Sequence, residues 1–246
     1  MANSTKNFLW ILAVYALSFL CYVPMLLRQS GAAVPGVLLN LRYLFVLIPM
    51  LISGIFLLSE RGVKTCWLGS LKRISAKELF LCAILAVTGV LATCGYSCWQ
   101  EAGLFRSAYP SARTLAAAAV YLFATALAEE LAWRGFLLKR IAAGRKKVLS
   151  VGITGVIWAI WHIPMWTIRN SLGLEDVVPL LIWTVLISLI LGTAYFRFEN
   201  LLSVSLLHTI CNICFLAPAQ YNEIIKLAGM MICYIFMKYK KGIKEF

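Results

Sequence analysis

Charged side chains are scarce in this chain. Ten acidic and 23 basic residues share 246 positions, so charge takes up only 13% of the sequence, beside 62% hydrophobic residues and a mean hydropathy of +0.85. A soluble domain of this length cannot be built from that mixture, because its surface would lack polar groups. Internal repeats, low-complexity tracts and any stretch long enough to fold as a separate soluble domain are also missing; the longest polar connections are roughly 60–77 and 100–113. His-Glu-x-x-His, Gly-x-Ser-x-Gly and Gly-x-Gly-Asp do not occur. Their absence removes the usual marks of zincins, nucleophile-elbow serine hydrolases and intramembrane aspartyl enzymes. The eight cysteines lie mostly in apolar runs. Neither a disulfide framework nor a structural zinc site is expected of them, and they read as small core hydrophobes.

What the chain does contain is a series of apolar runs of about 20 residues, the length of a bilayer-crossing helix. They fall at 8–27, 37–59, 78–99, 114–137, 148–168, 178–196 and 200–217, with a shorter run at 224–237. The prediction is an all-α polytopic membrane helix bundle of about eight transmembrane helices, a single domain over 1–246, with a polar intramembrane cavity. The first run follows Lys6 and is too long for a secretion-signal core, and bulky Leu20 before Cys21 makes a poor lipoprotein site, so it is read as a retained span. Residues 74–79 and 242–246 read as interfacial pieces.

Basic residues orient the bundle. Lys6, five between Arg61 and Lys77, five between Lys139 and Lys147, Arg197, and Lys238, Lys240, Lys241 and Lys244 fall on one side. Arg28, Arg106, Arg113 and Arg169 fall on the other. The positive-inside rule then makes both termini cytoplasmic. A net charge of +13 spread over loops that flank spans points to anionic lipid headgroups as partners and not to nucleic acid.

Against this apolar background a few polar residues stand inside the spans: Glu129, Glu130 and Arg134 in one, His162 in the next, His208 and Asn212 two further on. An ionisable group in hydrocarbon is costly unless paired or wetted, so each marks a functional site by default. Glu130 and Arg134 are four apart on one helix face and can neutralise each other. Glu129 is turned about 100° from its neighbour. A carboxylate without a dedicated cation suits proton abstraction near neutral pH; the bland alternative is a Glu–Arg clasp with Glu129 snorkelling outwards. His162 lies one turn after Trp158 and just before Pro164, whose ring kinks a helix by removing the hydrogen bond to residue 160. His208 and Asn212, again four apart, share a face. At about 1.5 Å per residue from the cytoplasmic ends, Glu129 and His208 lie roughly 12 Å deep, Asn212 roughly 18 Å and His162 about 17–21 Å. These similar depths allow the four to meet in one cavity.

Glu-Glu-x-x-x-Arg, an aromatic-x-x-x-His and His-x-x-x-Asn, in this order on separate helices, resemble the motifs of the CAAX-protease and bacteriocin-processing (CPBP, Abi) family of intramembrane proteases. The resemblance covers 115–217 as a catalytic core and includes Trp133-Arg134-Gly135-Phe136; Trp158 stands where the family usually has Phe. It implies an eight-helix bundle that hydrolyses a peptide bond of a membrane-associated protein or peptide, either CAAX-type or peptide-processing. Glu129 would activate the water and His162 would help to hold it. His208 and Asn212 would stabilise the oxyanion, and Glu130, Arg134 and Trp158 would support the site. No required cofactor is the favoured expectation. Zinc is the alternative, with Glu129, His162 and His208 as ligands, because two histidines and a carboxylate leave an open fourth position. A cysteine mechanism through His208 and Cys211, three apart, lacks a base-orienting third residue. A non-catalytic immunity or peptide-binding protein, or a transporter, is the reading from another class. The compact chain is nearer the bacterial members, which makes the bacterial plasma membrane the expected location.

Overall fold

The computed structural model describes residues 2–60, 66–80, 82–84 and 112–216. Among the described residues the regular structure is helical, with no strand. In lipid a helix is the open-chain solution that satisfies its own backbone polar groups. The principal helices are α1 (Ala2–Leu20), α2 (Val23–Gln29), α3 (Gly36–Leu39), α4 (Ile48–Ser59), α5 (Ala112–Ala132), α6 (Lys139–Ala142), α7 (Lys147–Trp161), α8 (Leu174–Phe198) and α9 (Leu201–Leu216). Among the described residues five stretches are long and apolar enough to cross a membrane: Ser4–Gln29, Gly36–Ser59, Ala116–Ala142, Lys147–Arg169 and Leu174–Phe198. They correspond to five of the expected runs, and the protein is an all-α polytopic membrane protein. The run expected at 200–217 forms the shorter α9. Most of the run at 78–99 and all of 224–237 lie outside the described residues.

The helices gather into two compact units, Met1–Gly69 with Ala128–Leu189, and Ser70–Leu127 with Ile190–Phe246. In the first, interrupted helices are built from identifiable residues. Pro24 and Pro49 sit in the first turns of α2 and α4, where a missing N–H costs nothing. Gly31, at φ +90°, ends α2; the Ala32 N–H reaches back to the Leu27 carbonyl at 2.9 Å, as in a Schellman cap. Large aromatics fill the interior, and their polar tips find serines. Trp10 meets Trp133 edge-on at 5.3 Å and donates to Ser53 Oγ at 3.1 Å. Trp161 stacks on Phe45 at 3.9 Å and donates to Ser18 Oγ at 2.9 Å. Outward faces carry Phe8, Ile55, Leu58 and Ile182, the exposed apolar surface that lipid demands.

At one end of this unit Lys6 Nζ donates to Glu60 Oε1 at 2.9 Å, and Arg140 donates to Glu60 Oε2. These contacts bring the start of α1, the end of α4 and the end of α6 to one face. Partial burial alone would raise the Glu60 carboxyl, but the hydrogen bonds from Lys6 and Arg140 outweigh it and hold the group below its ordinary range.

The second unit fastens the start of α9. Asn200 is its N-cap: Oδ1 accepts from the Leu202 N–H at 3.1 Å and from the Lys72 N–H at 3.4 Å, while Nδ2 donates to Glu78 Oε1 at 3.3 Å. Glu78 in turn closes a capping box, its carboxylate accepting from the Ser75 N–H while its own N–H reaches Ser75 Oγ at 3.4 Å. Residues 74–79, read as an interfacial piece, thus include the cap of a helical turn at 76–80 and a brace for α9.

Candidate active site

Glu129 and Glu130 occupy the last turn of α5, both buried. The clasp expected of Glu130 and Arg134 is formed at 2.8 Å, with both side chains fully buried. Arg134 is further held by Ser188 Oγ, 3.1 Å from Nη2, and by the face of Trp158, 4.5 Å from its guanidinium carbon. Gly155 makes the Ser188 contact possible. A Cβ on Gly155 would stand 2.9 Å from the Ser188 Cβ, so only glycine lets α7 and α8 approach this closely.

Immediately after the glutamates the helix widens into a π turn, Trp133–Leu138. Its i→i+5 pairing shifts the carbonyl register, and at the transition the Leu131 carbonyl accepts the Trp67 indole N–H at 2.9 Å. The same device recurs after the second motif. α7 stops at Trp161, and the chain passes through Pro164 into a π turn over Met165–Arg169. The break expected at Pro164 is therefore present, as a change of helical register.

Glu129, 6% exposed, does not snorkel: its Oε2 accepts the Trp158 indole N–H at 2.8 Å. His162 Nδ1 lies 2.8 Å from the Trp158 carbonyl. A carbonyl only accepts, so Nδ1 carries a hydrogen in this contact. Trp161 packs edge-on at 4.8 Å and Trp166 stacks at 5.3 Å, fixing the plane of the imidazole. The Glu129 carboxyl and the His162 imidazole are thus both anchored on Trp158.

In the second unit His208 and Asn212 lie four apart on the continuous helix α9, as expected. His208 is buried and Asn212 is half-buried. Cys211 and Cys214 flank Asn212 at Cys-x-x-Cys spacing, a pair that the reading of the cysteines as core hydrophobes passes over. Cys211 is free and buried. Among the described residues no three His, Cys, Asp or Glu side chains group as a metal site requires.

Residues 111–214 match the family described as type II CAAX prenyl endopeptidase, Rce1-like. Over this stretch the chain is similar to CAAX-type intramembrane endopeptidases. The matched stretch holds all seven motif residues, from Glu129 to Asn212. Among curated proteins none matches the chain. The matched stretch and its surroundings also include interacting residues that no motif flags. Ser188 is one serine in an apolar run, Trp67 acts from 64 residues away, and Asn200 is recognisable only as a polar residue just before a helix.

Proposed function

We propose that the protein hydrolyses a peptide bond near the C-terminus of a lipid-modified protein or peptide, with water activated by Glu129 as general base. His162 holds that water through Nε2. His208 and Asn212 donate to the oxyanion, and the Glu130–Arg134 pair supports the site from behind. No metal takes part. The protein sits in a bacterial plasma membrane with both termini cytoplasmic, and its partners are anionic lipids and the lipidated substrate. The observation that carries the reading is the shared anchoring of Glu129 and His162 on Trp158, inside the stretch that matches the CAAX endopeptidase family. A base and a water-holding imidazole are what hydrolysis needs, and general-base action is worth about 10²–10⁴ in rate.

The test is cleavage of a farnesylated CAAX peptide by the purified protein in detergent, with the released C-terminal fragment identified by mass spectrometry. Cleavage is expected, with losses of about 10²–10³ for His208→Ala or Asn212→Ala. Activity is expected to survive exhaustive chelation. Loss on chelation with recovery on stoichiometric zinc would turn the histidines into ligands. Failure to cleave this peptide and an unmodified peptide library alike would favour a binding or transport role.

A further inference from the structure

Three groups of the first unit converge on Trp158. Its indole N–H donates to Glu129 Oε2 at 2.8 Å, its ring face carries the Arg134 guanidinium at 4.5 Å, and its carbonyl takes His162 Nδ1 at 2.8 Å. Only 2% of the residue is exposed. Packing therefore fixes the direction of the donor before any substrate arrives.

We propose that Trp158 is a positioning residue for the base, fixing the rotation of the Glu129 carboxylate through its indole N–H and thereby aiming it at the hydrolytic water. The proposal rests on the reading of Glu129 as general base. A glutamate's terminal torsion joins an sp³ to an sp² carbon and is broad, so the carboxylate has no preferred plane of its own. A charge-assisted hydrogen bond to one oxygen supplies that plane. Indole is a donor only and does not ionise at working pH, so the tether acts throughout the catalytic cycle. The ring face is a separate function, because it attracts the Arg134 cation whether or not the N–H is present. Phenylalanine at 158 would keep the second function and lose the first.

The experiment compares the protein with Trp158→Phe and with the benzothiophene isostere of tryptophan at 158, which replaces the N–H by sulfur at nearly constant shape. On the farnesylated CAAX peptide both should lower kcat by about 10- to 100-fold, the equivalent of one hydrogen bond to a charged group. KM should stay within about twofold, and the isostere should melt at the wild-type temperature. A wild-type kcat for the isostere overturns the proposal. Glu129→Gln, run in parallel, tests the underlying reading; a wild-type rate there removes the base and this role with it. A readout independent of turnover is the infrared difference spectrum of each protein against its Glu129→Gln partner. The Glu129 carboxylate band should move when the isostere replaces Trp158, and an unmoved band contradicts the tether even if Glu129 proves essential.

Discussion

At the scale of single residues, burial and pairing sort the charged groups into different tasks. Glu130 and Arg134 neutralise each other at zero exposure, and breaking such a pair from one side costs about 3–5 kcal/mol because it leaves a buried charge. Arg134→Ala should therefore lower thermal stability in detergent by that order, whereas Arg134→Ala with Glu130→Gln should recover part of it. Strictly additive losses in that double mutant, compared with Glu130→Gln alone, would mean that the two do not act as a pair. This pair was legible in the sequence because residues four apart on a helix face each other. The bond between Glu129 and Trp158 was not. It joins positions 29 apart, and no helical spacing signals it. Trp158 read as a supporting aromatic of the motif, its donor unassigned.

At the scale of elements, close packing sets where the site residues point. Gly155 lets α8 bring Ser188 onto Arg134, and a methyl group there would fall 2.9 Å from the Ser188 Cβ. Gly155→Ala should cost about 1–3 kcal/mol through overpacking and should lower activity as well. Unchanged melting in detergent would contradict the close approach. The five long spans were legible because an apolar run of bilayer length has few other uses. The π turns at Trp133–Leu138 and Met165–Arg169 were not, apart from the break at Pro164, since a shift of one residue in backbone pairing leaves composition unchanged. The Ser75–Glu78 capping box was written in the sequence as Ser-x-x-Glu, but its connection to Asn200 belongs to tertiary structure.

At the scale of the whole molecule, charge and polarity decide orientation and chemistry. The basic asymmetry predicts that a reporter fused after Phe246 reads out as cytoplasmic; an extracellular readout would refute the proposed topology. Glu60 ties three helix ends together, and its carboxyl is held below the unfolded value of about 4.3. The folded state then binds fewer protons than the unfolded state across that window. Glu60 contributes its stability above about pH 4.3 and loses it as pH falls through the lower folded value. In detergent the protein should lose up to about 1 kcal/mol relative to Glu60→Gln on acidification through that range, because a part-exposed ion pair is screened. Parallel stability curves for the two would contradict the linkage. The central claim is that this bundle is a hydrolase whose base is Glu129, and Glu129→Gln keeps the shape of the side chain while removing its capacity to take a proton. The most direct measurement is kcat of that variant on the farnesylated CAAX peptide, with membrane insertion checked in the same preparation. A loss of about 10²–10⁴ with insertion intact is the predicted result, and activity within about tenfold of wild type would contradict the account.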